Sequence, residues 1–147
     1  MKIEEIEQEI INEFEQFDEW LDKYNYLIEL GKSLPLIKEE FKTDQYAITG
    51  CQSKVWLHSS LQSGKVVFEA DSDAIITKGI VGLLIRVLSD QIPDEIINAK
   101  LDFVDKIGLR EHLSPTRSNG LTSMIKQMKF YAFAFKTKLS QNTPNSL

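Results

Sequence analysis

The stretch KVWLHSSLQSGKVVFEADSDAIITKGIVGLLIRVLSD, residues 54 to 90, decides the fold class. KVWLHSS and KVVFEAD are runs of β-branched, aromatic and alternating residues, and LQSG between them supplies Gly64 at a turn position. Residues 54 to 71 are therefore predicted to form an antiparallel hairpin. The pattern then switches period. Ser72 or Asp71 is placed to cap a helix, Asp73 falls in its first turn, and only Thr77, Lys78 and Arg86 interrupt the apolar surface from Ala74 to Leu88. A helix apolar almost all round must be central, with the sheet on one side and other helices elsewhere. Gly79 and Gly82 inside it cost helix propensity, which points to close packing against another backbone.

Working outward towards the N-terminus, a hairpin alone is marginal, and QYAI at 45 to 48 is a candidate third strand. Pro35 lies in a connecting stretch with a short helix expected near Leu36 to Phe41. Before it, EWLDKYNYLIEL reads as a helix capped by Asp18 and stopped by Gly31. In the first segment Ile3, Ile6, Ile10, Phe14, Phe17 and Leu21 form one apolar stripe, and the glutamates opposite read as a solvated face.

Towards the C-terminus, Pro93 fits the first turn of a short helix through Ile97, and LDFVDKIG forms another that ends at Gly108. HLSPTRSNGL, residues 112 to 121, is dense in turn formers and opens a long helix capped by Ser118 or Asn119. Leu121, Met124, Ile125, Met128, Ala132 and Phe135 mark its buried face. The sum is an α+β domain over residues 1 to 140, a small antiparallel sheet of about three strands with helices packed on one face, followed by a flexible tail at 141 to 147.

The totals narrow the function classes. A formal net charge of -5 argues against nucleic acid as the main partner, because nonspecific affinity for phosphate backbone comes from clustered Lys and Arg. The longest apolar run, GIVGLLIRVL, is broken by Arg86 and falls short of the roughly 20 residues needed to cross a bilayer. One cysteine allows no internal disulfide, and the N-terminus shows no signal-peptide pattern, so a reducing cytoplasm is expected, with no membrane partner.

That cysteine, Cys51, is either a small inert core residue or a presented thiol. Its neighbours Gly50, Gln52 and Ser53 are turn-forming or polar, which places it in an exposed loop entering the sheet, and exposure is a precondition for reactivity. Lys54 would lower its pKa if the ammonium came close. The residues by themselves leave both readings open. One Cys and two His give no recognised metal-ligand spacing, so no metal is expected. A Cys-His hydrolase using His58 or His112 has no local signature. Asp71 and Asp73 are explained by capping, and Arg117 either ties down its loop or grips a carboxylate on a partner. No Gly-rich loop has phosphate-cradling spacing, and KGIVG, inside a helix, is a poor candidate.

Four stretches taken together resemble one family. YNYLIELGKSLP (24 to 35), GCQSKVWL (50 to 57), ADSDA with the following KG (70 to 79), and LSPTRSNGL (113 to 121) are similar in order and separation to the SufE family of sulfur acceptors, of which CsdE is a close relative; the likeness spans residues 17 to 138. The resemblance implies a fold shared with IscU-type scaffolds and a carrier that is not an enzyme by itself. Its partner would be a SufS-type cysteine desulfurase, which owns the PLP, so that the chain needs no cofactor. The carrier stimulates that desulfurase, takes persulfide sulfur onto Cys51 and relays it to an iron-sulfur scaffold complex of the SufBCD type. In the family this cysteine sits on a loop that shelters against the protein and swings outward.

By position in the motifs, Gly50 would give the loop hinge freedom, Gln52 and Ser53 would hydrogen-bond it, and Asp73 and Arg117 would lie near it on the partner-facing side. Thr116, where relatives often carry Ser, keeps the hydroxyl. Two other readings differ in detail: a CsdE-like relay to another acceptor, and a scaffold that builds clusters itself. The second needs several ligands, usually cysteines, which the chain lacks.

Overall fold

The computed structural model describes residues 1–141. The hairpin lies where the alternating pattern puts it, as strands β1 (Val55–Gln62) and β2 (Lys65–Ser72) in antiparallel register from Val55 opposite Ser72 to Gln62 opposite Lys65. Ser63 and Gly64 make the two-residue turn, both with positive φ (52° and 80°), the handedness that matches strand twist. Val55, Leu57, Val66, Phe68 and Ala70 point into the core from one face.

Among the described residues the sheet has two strands, which corrects the expected three. Residues 46 to 48 do approach β1: Leu57 N–H donates to Tyr46 O at 2.9 Å and Ile48 N–H to Val55 O at 2.8 Å. The pairing stops at the single Ala47–Trp56 bridge, because Thr49 and Gly50 turn away. The outer edge of β2 is covered in the same piecemeal manner by Pro35 to Ile37 and by Gln91, so neither edge is left as a long pairing template.

Helices α1 (Ile3–Phe14), α2 (Trp20–Gly31) and α3 (Ile75–Leu88) pack together, with α3 also against β2. Short helices α4 (Pro93–Asn98), α5 (Phe103–Lys106) and α6 (Leu109–His112) lead to the long α7 (Pro115–Gln141), which crosses α3 and α4. Between α2 and β1 a 3₁₀ turn, Glu39–Phe41, stands where a short helix is predicted. As its composition requires, α3 is the centre: Ile80, Val81, Leu83, Leu84, Ile85, Val87 and Leu88 are all buried. Its Gly79 lies against α2. A Cβ there would stand 2.9 Å from Leu27 Cγ, and one on Gly31 would stand 2.9 Å from Gly79 N. Helix α2 ends at Gly31 as expected, but Gly31 is a packing residue and the chain leaves through Lys32 in ordinary helical geometry.

Tertiary partners override several local predictions. Asp18 does not cap α2, whose N-cap is Glu19 with no side-chain bond. Asp71 does not cap α3, because Lys42 (2.7 Å) and Lys78 (3.3 Å) take its carboxylate. The acidic face of α1 is solvated only in part: Glu13 accepts a fork from Arg86 at 2.8 and 2.5 Å and also the Tyr26 hydroxyl. Arg86 thus interrupts the apolar α3 surface only where a carboxylate meets it. Leu21, placed on the buried stripe, is exposed because α1 ends at Phe14. Helix α7 continues to Gln141, and the rest of the predicted tail, residues 142 to 147, lies outside the described residues.

Candidate functional site

The loop of residues 49 to 54 is anchored at both roots and held lightly at its tip. At the entrance, Ile48 is fixed to Val55. Gly50 follows with φ of 89°, a conformation that strains any residue with a Cβ, and its α-carbon faces Ser123 of α7 so closely that a Cβ would meet Ser123 Oγ at 2.5 Å. At the exit, Asp73 Oδ1 accepts Lys54 N–H at 3.0 Å and Asp73 N–H donates back to Lys54 O at 3.2 Å. Ser72 Oγ donates to the same carbonyl at 2.9 Å and accepts Ala74 N–H at 3.3 Å. Asp73 and Ser72 thus serve chiefly as the clamp on the loop's exit. The predicted cap of α3 is absent because these groups are already used.

The loop is exposed, as expected, but Cys51 at its tip is turned inward and half-buried. Its Sγ donates to Gly120 O at 3.7 Å, within a small cavity of about 10 Å³ lined by Gln52, Ser53, Thr77, Ile80, Thr116, Arg117, Gly120 and Met124. Burial pushes the thiol pKa up. Lys54 lends the loop its backbone and does not depress that pKa. At rest Cys51 is a neutral, sheltered thiol that becomes a competent nucleophile on leaving this seat.

The fold thus gathers Cys51, Gln52, Ser53 and Arg117 around one cavity, with Gly50 and Asp73 at the loop's two ends. Arg117 is not in a loop. The start of α7 lies at Pro115, with Ser114 Oγ accepting Arg117 N–H at 3.3 Å, so Ser114 takes the capping role expected of Ser118 or Asn119. Sequence reading missed Gly120, Met124, Thr77 and Ile80. Gly120 carried a usable signal: with the helix started at Pro115 it is a costly glycine within a helix, the same mark that singled out Gly79. The histidines are occupied elsewhere. His58 stacks on Phe41 with centroids 4.1 Å apart, and His112 stacks on Trp20 at 3.9 Å with Nδ1 2.8 Å from Gly108 O. Neither lines the Cys51 cavity. Among the described residues no three His, Cys, Asp or Glu side chains are grouped to hold a metal, and no helix is long and apolar enough to cross a membrane.

The family model for SufE, the Fe-S metabolism associated domain, matches residues 8–132, a span that contains the whole loop, its clamp and its seat. The chain belongs to the SufE family. It is 43% identical over 126 residues to an uncharacterized SufE-like protein of Rhizobium meliloti, covering 82% of this chain and 90% of that one. An uncharacterized SufE-like protein of Synechocystis is 36% identical, covering 86% of this chain and 80% of the other. SufE-like protein 1 of Arabidopsis thaliana, described as chloroplastic/mitochondrial, is 39% identical over 89% of this chain, and the match spans 36% of the plant protein's length.

The fold is shared with a hypothetical protein from Thermus thermophilus, with TM-score 0.75, 20% identity, and 90% and 96% of the two chains covered. SufE membership places the chain in the sulfur-transfer side of iron-sulfur metabolism, in a family that works with cysteine desulfurases.

Proposed function

We propose that Cys51 accepts sulfur from a SufS-type cysteine desulfurase and passes it to a SufBCD-type scaffold complex. One observation carries this reading: the chain's single thiol sits at the tip of a loop whose roots are hydrogen-bonded and whose tip is held by apolar packing and a long sulfur-to-carbonyl contact. A swing of the tip alone can deliver it. The chemistry is thiol exchange: Cys51 thiolate attacks the outer sulfur of the desulfurase persulfide, the S–S bond there breaks, and the desulfurase thiolate leaves as Cys51 becomes the persulfide. Charge and sulfur balance without an oxidant. PLP stays with the desulfurase, and this chain supplies the nucleophile, its reach and its shelter. With no second cysteine in the chain, no internal disulfide can discharge the loaded sulfur.

Arg117 lines the cavity and is exposed, which supports a role in meeting the anionic sulfur or the partner, while Asp73 acts by fixing the loop's exit. Desulfurase turnover is stimulated because its persulfide is removed. The test is intact mass after incubation with desulfurase and cysteine. Wild type gains one sulfur on Cys51 and Cys51→Ser gains none; an unchanged wild-type mass would sink the proposal.

A further inference from the structure

Cys51 rests against the backbone of Gly120, where any side chain would press on its sulfur. A Cβ at Gly120 would lie 3.3 Å from Cys51 Sγ, 3.6 Å from its Cα and 3.7 Å from its Cβ. The glycine sits inside α7, where it costs about 1 kcal/mol of helix stability relative to alanine. What that glycine accommodates is a single sulfur atom. The remaining cavity of about 10 Å³ is at or below the roughly 10–15 Å³ that one water requires. A second sulfur bonded about 2 Å beyond Sγ is larger than a water.

Charge acts in the same direction. The buried lining consists of Ile80, Gly120, Met124 and the one hydroxyl residue Thr77, and this environment already favours the neutral thiol. Persulfides are more acidic than thiols and are anionic at neutral pH, and an anion in such a seat loses hydration it cannot recover. Among the described residues the only cation lining the cavity, Arg117, is exposed, so it favours an anion at the cavity's outer side.

We infer that the Gly120 seat accepts Cys51 as the free thiol and rejects it as the persulfide, so that sulfur loading itself drives the loop off α7 and presents the sulfur to the next acceptor. This rests on the reading of Cys51 as a sulfur carrier and adds how its loaded and empty states are told apart. Gly120 is then a positioning residue: it acts through Cys51 and touches no partner in the chemistry.

The test supplies sulfur without a desulfurase, so its failure and the failure of the carrier reading are separable. Inorganic polysulfide converts the full chain: Cys51 thiolate takes one sulfur and polysulfide shortened by one sulfur leaves with its two charges. NMR of the Met124 and Ile80 methyl groups reports occupancy of the seat in the thiol form, the persulfide form, and the neutral mixed disulfide made with a methanethiosulfonate. Gly120→Ala, which favours the helix and puts a Cβ 3.3 Å from Sγ, crowds the seat, and Gly120→Leu, whose larger side chain fills it, gives the emptied reference. Persulfide and mixed-disulfide spectra are expected to move from the thiol positions towards the Gly120→Leu positions. Iodoacetamide should alkylate Gly120→Leu several-fold faster than wild type, with the pH midpoint of the rate moved down towards that of free cysteine, and Gly120→Ala should fall between the two. Persulfide or mixed-disulfide methyl shifts that stay at the thiol positions would overturn the inference, as would a folded Gly120→Leu thiol that alkylates with the wild-type rate and pH profile.

Discussion

Alanine at Gly79 and at Gly82, three residues apart in one helix, should move stability in opposite directions. Each substitution gains about 0.8–1 kcal/mol in intrinsic helix preference. At Gly82 nothing opposes the gain. The nearest atoms to a new Cβ are Leu30 O at 3.8 Å and Gly31 Cα and Leu34 Cδ1 at 3.9 Å, ordinary contact distances. At Gly79 the same Cβ would lie 2.9 Å from Leu27 Cγ, 3.0 Å from its carbonyl carbon and closer still to its oxygen. Leu27 is 1% exposed and part of α2, so the two helices must part to admit the methyl. Overpacking of this kind costs about 1–3 kcal/mol, and separating backbones places it in the upper half of that range. Gly82→Ala should therefore gain up to about 1 kcal/mol and Gly79→Ala should lose about 1–2 kcal/mol. Equilibrium urea unfolding with unchanged m-values measures both, and in thermal melts each kcal/mol corresponds to about 2–4 °C for a chain near this size. A Gly79→Ala variant as stable as Gly82→Ala would refute the account of α2 and α3 meeting backbone to backbone.

The remaining predictions concern the site and its supports. Because burial raises the Cys51 pKa, the alkylation rate of the folded protein should rise with pH through a midpoint above that of the same chain in urea; a lower midpoint in the folded state would contradict the sheltered seat. The sign for stability follows: the neutral thiol's contribution is complete below the unfolded value of about 8.5 and is lost as pH rises through the folded value, so the advantage of wild type over Cys51→Ser should shrink in alkali. Asp73→Ala removes the acceptor for Lys54 N–H and should loosen the loop, raising Cys51 alkylation at a stability cost of about 1 kcal/mol, whereas Asp73→Asn keeps an acceptor oxygen; equal rates in the two variants would exclude the clamp. The Arg86 fork, and next the Tyr26 hydroxyl, hold the Glu13 pKa below its usual range. Its contribution is present above the unfolded value of about 4.3 and is lost as pH falls through the folded value, so Glu13→Gln should cost about 1 kcal/mol at pH 7, a figure reduced for partial exposure, and measurably less near pH 3. Urea titrations at the two pH values decide it, and an equal cost at both would point away from the ion pair.

A resting thiol that is neutral and half-buried has a direct chemical consequence. Oxidants and adventitious metals attack thiolates, so the sheltered state protects the single nucleophile between transfers. The clamp at Asp73 and the pairing at Ile48 keep the loop's roots in place, which limits motion to the few residues around Gly50.

Much of the fold is written in short-range pattern. The two-residue period of KVWLHSS and KVVFEAD with Gly64 between them is enough for the hairpin, and the near-continuous apolar surface of α3 is enough for its central position. The cost of a glycine within a helix marked close approach correctly at Gly79 but not at Gly82, where a Cβ would meet only ordinary contacts. These features are local because a turn, a strand face or a helix face is fixed by residues within a few positions of one another. The motifs around Cys51 and Arg117 likewise sufficed to indicate the family.

Distant pairings left no such mark. Glu13 meets Arg86 across 73 positions, and Asp71 surrenders its capping role to Lys42 and Lys78, because ion pairs form between neighbours in space whatever their separation along the chain. The third strand is lost to a turn at Gly50, and the start of α7 at Pro115 turns an apparent loop into a helix. Cys51 shows the division most clearly. Sequence alone put a thiol beside a hinge glycine; only the packing of that loop onto α7 determined that the sulfur points inward, over a glycine 69 positions away whose missing side chain makes the room.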